Sequence, residues 1–247
     1  MDDKTTLNDA LELMRDLRKR CDWDAAQTHE SLRPYLIEEA YELDDAIRSG
    51  KPPLMREELG DVLLQVCFHS IIAEELGEFD ASDVAQALIT KMRARHPHLY
   101  GDGDREPWER MKSKKRESIG DGLPASLPPL HRAHRLQDRA AGVGFDWPDA
   151  EGPAKKVEEE LAEVRGEIAR HSAHTQLEAE LGDLLFACVN LCRKAGVHAS
   201  LALDRANAKF ESRFKKVETM CRERGIALSE AGLEKLDALW DEAKLAE

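Results

Sequence analysis

One pattern of acidic residues occurs twice along this chain, in the same order and at nearly the same spacing. Glu38-Glu39-Ala40-Tyr41-Glu42 is matched by Glu159-Glu160-Leu161-Ala162-Glu163, and Glu58-Leu59-Gly60-Asp61 by Glu180-Leu181-Gly182-Asp183. Asp22-Trp23 is matched by Asp146-Trp147, and Lys91 and Arg95 by Lys209 and Arg213. Trp108 is matched more loosely by Trp240. The first four pairs are offset by 118 to 124 positions in a chain of 247 residues. A period of that size means two copies of one domain.

Each copy reads as helical. Leu7, Leu11, Met14 and Leu17 recur at the spacing of one helix face. The same reasoning predicts helices over 35–47, 59–76, 84–95, 155–169, 177–195, 201–224 and 233–245. Leu, Ala, Glu, Lys and Arg dominate, as helices prefer, and the β-branched residues and tyrosine that favour sheets are sparse. Gly50-Lys51-Pro52-Pro53, His96-Pro97-His98 and Gly101-Asp102-Gly103-Asp104 read as loops. The segment Gly120 to Pro129 holds too many Gly and Pro for a helix to run through it. The expectation is an all-α chain: an N-terminal helical domain over 1–120, a Pro/Gly linker over 121–129, and a C-terminal helical domain over 130–247.

The repeated acids carry the chemistry. Residues three or four apart share one helix face, so Glu39 pairs with Glu42, Glu160 with Glu163, Glu58 with Asp61, and Glu180 with Asp183. Only 15 or 16 residues separate EExxE from ExxD in each copy, and so short a connection favours antiparallel neighbours. Two pairs of carboxylates then face each other, and either some protonate or a cation sits among them. Oxygen ligands without His or Cys suit a hard ion, Mg²⁺ or Mn²⁺. A single EExxE in a chain with 34% charged residues is usually a solvated face. Two ordered copies on the most apolar helices argue for a site. Glu38 and Glu159 sit at the edge of the acidic face.

Cations follow at helical spacing. Lys209 with Arg213, and Lys91 with Arg95, can hold phosphate oxygens, or can pair with nearby acids such as Glu211. Asn190 lies seven residues after Asp183 on the same face and can read a sugar or base, whereas the N-terminal copy has Phe68 there. Trp240 can stack on a base or anchor the last helix. His131 and His134, beside Arg132 and Arg135, read as a solvated helix rather than a zinc site. P-loop, dinucleotide-binding and nucleophile-elbow motifs are missing.

The net charge of −13 offers no extended field for duplex nucleic acid or an anionic membrane. Val62 to Ala73, the most apolar stretch, is interrupted by Gln65 and His69 and is too short to span a bilayer. The start of the chain lacks the apolar core of a signal peptide, and five cysteines without a CxxC pair read as reduced thiols. A cytoplasmic location is expected.

These residues resemble the MazG family of nucleoside triphosphate pyrophosphohydrolases, whose signature is EExxE followed by ExxD. Cys21-Asp22-Trp23-Asp24, Arg95-His96-Pro97-His98, Gly144-Phe145-Asp146-Trp147, Glu180 to Phe186 and Asn207-Ala208-Lys209-Phe210 add to the likeness. The resemblance implies a homodimeric helical bundle, Mg²⁺, and hydrolysis of nucleoside triphosphates to the monophosphate and pyrophosphate with broad specificity. It implies metal ligands Glu160, Glu163, Glu180 and Asp183, with Glu39, Glu42, Glu58 and Asp61 as the second-copy set. It implies nucleotide contacts from Lys156, Lys209, Arg213 and Trp240, mainly in a catalytic C-terminal copy. Gln176 stands where relatives can carry a lysine. Two rival readings remain: a helical pyrophosphohydrolase for dUTP or a phosphoribosyl nucleotide, and an acidic helical adaptor with a degenerate metal site.

Overall fold

The computed structural model describes residues 5–103, 111 and 116–245. Among these the chain forms eleven α-helices, one short 3₁₀ turn and no strand. Trp108 lies outside the described residues. The chain divides into two compact units, Met1–Arg105 and Glu106–Glu247. The division falls before the Gly/Pro segment, which is part of the second unit. The buried Arg139 donates hydrogen bonds to the carbonyls of Ile119 and Asp121, both at 2.8 Å, and so ties that segment down.

The first unit holds α1 (Leu7–Arg20), α2 (Asp22–Ala26), α3 (His29–Ser49), α4 (Pro52–Leu76), α5 (Ala81–Ala94) and α6 (Pro97–Tyr100). Thr6, Thr28 and Asp80 each cap a helix with a reciprocal bond to the residue three further on, which satisfies otherwise orphaned N–H groups. Gly50 and Gly77 close α3 and α4 at φ 64° and 69°, where a side chain is strained. Two expected loops are helical. Pro52 opens α4 and Pro97 opens α6, because proline lacks only an N–H that the first turn leaves unbonded.

The core of the first unit joins Met14 of α1, Leu32 of α3, and Cys67, Phe68, Ile71 and Ile72 of α4. Arg15–Glu74 at 2.8 Å and Arg18–Glu75 at 2.6 Å pin α1 against the end of α4. The Arg18 side chain is almost buried and also donates to the Asp24 and Gln27 carbonyls. That arginine therefore holds the C-terminal end of α2, the short helix that bears Trp23.

The second unit holds α7 (Pro129–Gly142), α8 (Glu151–Arg170), α9 (His174–Lys194), α10 (Ala199–Glu223) and α11 (Gly232–Leu245). The α8–α9 pair is a helical hairpin, and α7 packs against α9 and α10. Val217 and Cys221 of α10 bury against Leu239 and Ala243 of α11.

Phe68 is 2% exposed and fills the first core. Phe68→Ala is expected to cost about 3–5 kcal/mol by leaving a cavity, read as a lowered denaturation midpoint. A loss under ~1 kcal/mol would show that the site collapses around the change.

Candidate functional site

The α8–α9 hairpin gathers the second acidic set. Glu160 on α8 is buried, and it offers a carboxylate oxygen within 4.8 Å of one from Glu180 and one from Asp183 on α9. Glu163 joins them: its carboxyl is raised above the ordinary range, first by a hydrogen bond with Glu160, then by desolvation and the charges of Glu160 and Glu180. Carboxyls crowded in this way resist all being ionised together, and a cation among them relieves that repulsion.

The α3–α4 hairpin repeats this arrangement. Glu39, Glu58 and Asp61 bring oxygens within 4.8 Å of one another. Glu39 is raised by desolvation, then by Asp61, Glu42, Glu38 and Glu58. Glu58 is raised by desolvation, then by Glu42, Asp61 and Glu57. Glu42 therefore borders the first cluster as Glu163 borders the second. Both donor sets are oxygen-only, anionic and crowded, which fits a hard divalent cation.

The two clusters differ in their surroundings. The ammonium of Lys156, one turn before Glu160, lies 2.8 Å from both Glu159 and Glu160. Hydrogen bonds to Glu159, then Glu160, hold its proton far more tightly than usual. The Glu159 side chain is more than half exposed and points to Lys156. The repeat places Tyr35 at the position of Lys156, so the first cluster lacks this counter-charge.

Beside the second cluster is a cavity of about 600 Å³, walled by Phe145, Trp147 and Phe186 and edged by Gln137, Asn190 and Arg193. Phe186 lies one turn beyond Asp183, and Asn190 two turns beyond it. The Asn190 amide oxygen accepts from Arg193 at 2.9 and 3.1 Å. Asp146 clamps the α7–α8 loop onto α9 by pairing with Arg193 and, at 3.2 Å, with Lys194. Lys194 also donates to the Trp147 carbonyl. Trp147 lies so close to Gly152 that an added Cβ would approach its ring to 2.3 Å. In the first unit Phe68 takes the place of Asn190, with Trp23 edge-on at 6.4 Å. Ile71 and Ile72 take the places of Arg193 and Lys194.

The remaining candidates form other groups. On α10 and α11, Phe210 packs 5.1 Å from the Trp240 ring, with the Arg213 guanidinium 5.8 Å above it. Lys209 is exposed on the same helix. Lys91 is exposed on α5 and Arg95 caps that helix. His131 and His134 are not a solvated pair, since both are partly buried and pack against His198. Sequence spacing missed Gln137, Phe145, Gly152 and Arg193. Of these, Phe145 lay in the Gly144 to Trp147 string that carries the family likeness, and Arg193 one turn after Asn190.

Taken together, fold and site define an all-α protein with tandem acidic clusters. The chain belongs to the MazG family: residues 27–100 and 151–218 match the MazG nucleotide pyrophosphohydrolase domain. Each segment contains one complete carboxylate set. The chain is similar to the nucleoside triphosphate pyrophosphohydrolase/pyrophosphatase MazG of Thermotoga maritima, 46% identical over 95% of this chain and 94% of that protein. It is 41% identical to the nucleoside triphosphate pyrophosphohydrolase of Escherichia coli K12, over 96% and 95% of the two chains. It is 38% identical to the nucleoside triphosphate pyrophosphohydrolase of Mycolicibacterium smegmatis, over 81% of this chain and 61% of the relative.

The Asp146 clamp has a pH signature. The hydrogen bond from Arg193, followed by that from Lys194, lowers the Asp146 carboxyl below its ordinary value. An unfolded aspartate titrates at about 3.9. The stabilisation is thus complete above that pH and fades as pH falls towards the lower folded value. Asp146→Asn is expected to lower the melting temperature at pH 7, with the gap to wild type narrowing towards pH 3. A gap unchanged at low pH would count against the clamp.

Proposed function

We propose that this chain hydrolyses nucleoside triphosphates to the monophosphate and pyrophosphate, with Mg²⁺, and that turnover belongs to the α8–α9 site. The observation that carries this reading is the pairing of Glu160, Glu163, Glu180 and Asp183 with a nucleoside-sized cavity along the same helix. A few hundred cubic ångströms is the usual size of a small-molecule site. The names of the full-length relatives point the same way.

Glu160, Glu163, Glu180 and Asp183 would hold Mg²⁺, with Mn²⁺ as a substitute. When bound, such an ion neutralises phosphate charge and favours departure of pyrophosphate. The rest falls to side chains. Lys156, already charged and beside the acids, is placed to exchange its carboxylate partners for phosphate oxygens. That exchange frees Glu159 to accept a proton from water and orient it towards the α-phosphorus. Lys209 and Arg213 stabilise charge on the phosphate chain, and Trp240 offers a stacking face. Asn190 meets the sugar or base edge while the aromatic walls accept any base, which favours broad specificity.

A homodimer is part of the proposal. Leu181, Leu185 and Phe186 are 42%, 59% and 45% exposed on α9, and Tyr41 and Leu59 in the first unit are 60% and 50% exposed. Apolar side chains clustered on hairpin faces mark a surface that a second copy covers. We also place the activity in the cytoplasm, where the free thiols of all five cysteines are stable. No helix among the described residues is long and apolar enough to cross a membrane.

Pyrophosphate release from a panel including dUTP, dTTP, GTP and ATP, measured with Mg²⁺ on a preparation sized by light scattering, tests the reading. Asp183→Asn is expected to lower the rate at least a hundredfold and Asp61→Asn by less than threefold. Equal losses would assign turnover to both units. A rate confined to dUTP would replace broad specificity with a dUTP pyrophosphohydrolase. Inactivity of the wild type on the whole panel would leave the adaptor reading standing.

A further inference from the structure

The three partly buried histidines share one junction. His131 and His134 project from α7, and His198 stands immediately before α10. The His134 and His198 rings are 4.5 Å apart, and those of His131 and His198 are 5.1 Å apart. The His134 side chain is 14% exposed. Its Nδ1, the Nδ1 of His198 and the hydroxyl of Ser200 are buried without a hydrogen-bond partner. Buried polar atoms are rarely left unpaired, so the two orphaned nitrogens on rings in contact point to a missing ligand.

The tautomers suit a metal. Asp138, one turn on, lies 3.6 Å from His134 Nε2. Its carboxylate draws the ring proton to that side and leaves the lone pair on the orphaned Nδ1. A carboxylate behind a histidine is the usual support of a metal-binding imidazole. Desolvation is the largest influence on both His131 and His134, and it favours their neutral forms. Asp138 opposes it at His134, where His198, Arg135 and Arg193 add to it; at His131, His198 and Arg135 add to it. Those two arginines are themselves paired, Arg135 with Asp138 and Arg193 with Asp146, which tempers their repulsion of a cation.

We propose that His131, His134 and His198 form a transition-metal site, with Zn²⁺ as the fitting ion. Imidazole donors select zinc, copper or nickel over the magnesium suited to the carboxylates. The nitrogens do not converge within 4.8 Å as the carboxylate oxygens do, so binding includes rotation of a ring. The site joins α7 to the start of α10, and its role is to brace the helices behind the cavity. It is independent of the proposed hydrolysis, because no residue is shared.

Zn²⁺ titration of the full chain in a large excess of Mg²⁺ tests this. The wild type is expected to bind one Mg²⁺-resistant equivalent, with a rise in melting temperature, and to give a tetrahedral visible spectrum with Co²⁺. His198→Gln is expected to abolish both signals while Mg²⁺-dependent pyrophosphate release persists. Asp138→Asn is expected to weaken Zn²⁺ about 10–100-fold, and it keeps the test decisive if His198→Gln fails to fold. No Mg²⁺-resistant Zn²⁺ binding in the wild type overturns the proposal. So does binding that is unchanged in folded His198→Gln or Asp138→Asn.

Discussion

The second unit is organised around a repulsion. Glu160, Glu180 and Asp183 are brought to within 4.8 Å of one another by two antiparallel helices, a placement that like charges resist unless a proton or a cation intervenes. The chain meets part of this cost with Lys156, and the crowding shows in the Glu163 carboxyl, which the hydrogen bond with Glu160 raises above its ordinary value. What remains is a concentrated negative charge on rigid elements, with a cavity alongside. Rigid placement matters because helices hold side chains more firmly than loops. The hairpin is thus less stable than apolar packing alone would make it, and a divalent cation seated among the acids would relieve that repulsion.

The two copies answer the same repulsion differently. Both hold a crowded acid set, but Tyr35 replaces Lys156, Phe68 replaces Asn190, and Ile71 and Ile72 replace Arg193 and Lys194. The last three replacements exchange a polar contact for buried apolar packing, and Tyr35 removes the counter-charge while staying exposed. Phe68 and Ile71 belong to the core of the first unit. Core packing and ligand recognition compete for the same positions, and each copy resolves the conflict in one direction. The first unit keeps a cation-type cluster on a well-filled body. The second keeps an open cavity braced by the Asp146 clamp.

Much of this was legible in the residues. Apolar residues three and four apart located the long helices, and the repeated acids lie in both clusters, because helix geometry converts spacing directly into a shared face. Short elements were missed. Pro52 and Pro97 read as loop residues, yet proline is tolerated in a first turn, so composition misled where position decided. The cavity was invisible because its walls come from three separated stretches around Gln137, Phe145 and Phe186. His131 and His134 looked solvated because nothing local reveals that His198, more than sixty positions away, packs over them.

The most direct test of the central claim is Mn²⁺ binding followed by electron paramagnetic resonance, without nucleotide, in wild type, Glu160→Gln and Glu39→Gln. Two sites per chain are predicted for the wild type. Each variant should lose one, with the Glu160→Gln loss competed in the wild type by Mg²⁺. Two undiminished sites in Glu160→Gln would contradict the account, because the crowded carboxylates of the α8–α9 hairpin would then not be what holds the metal.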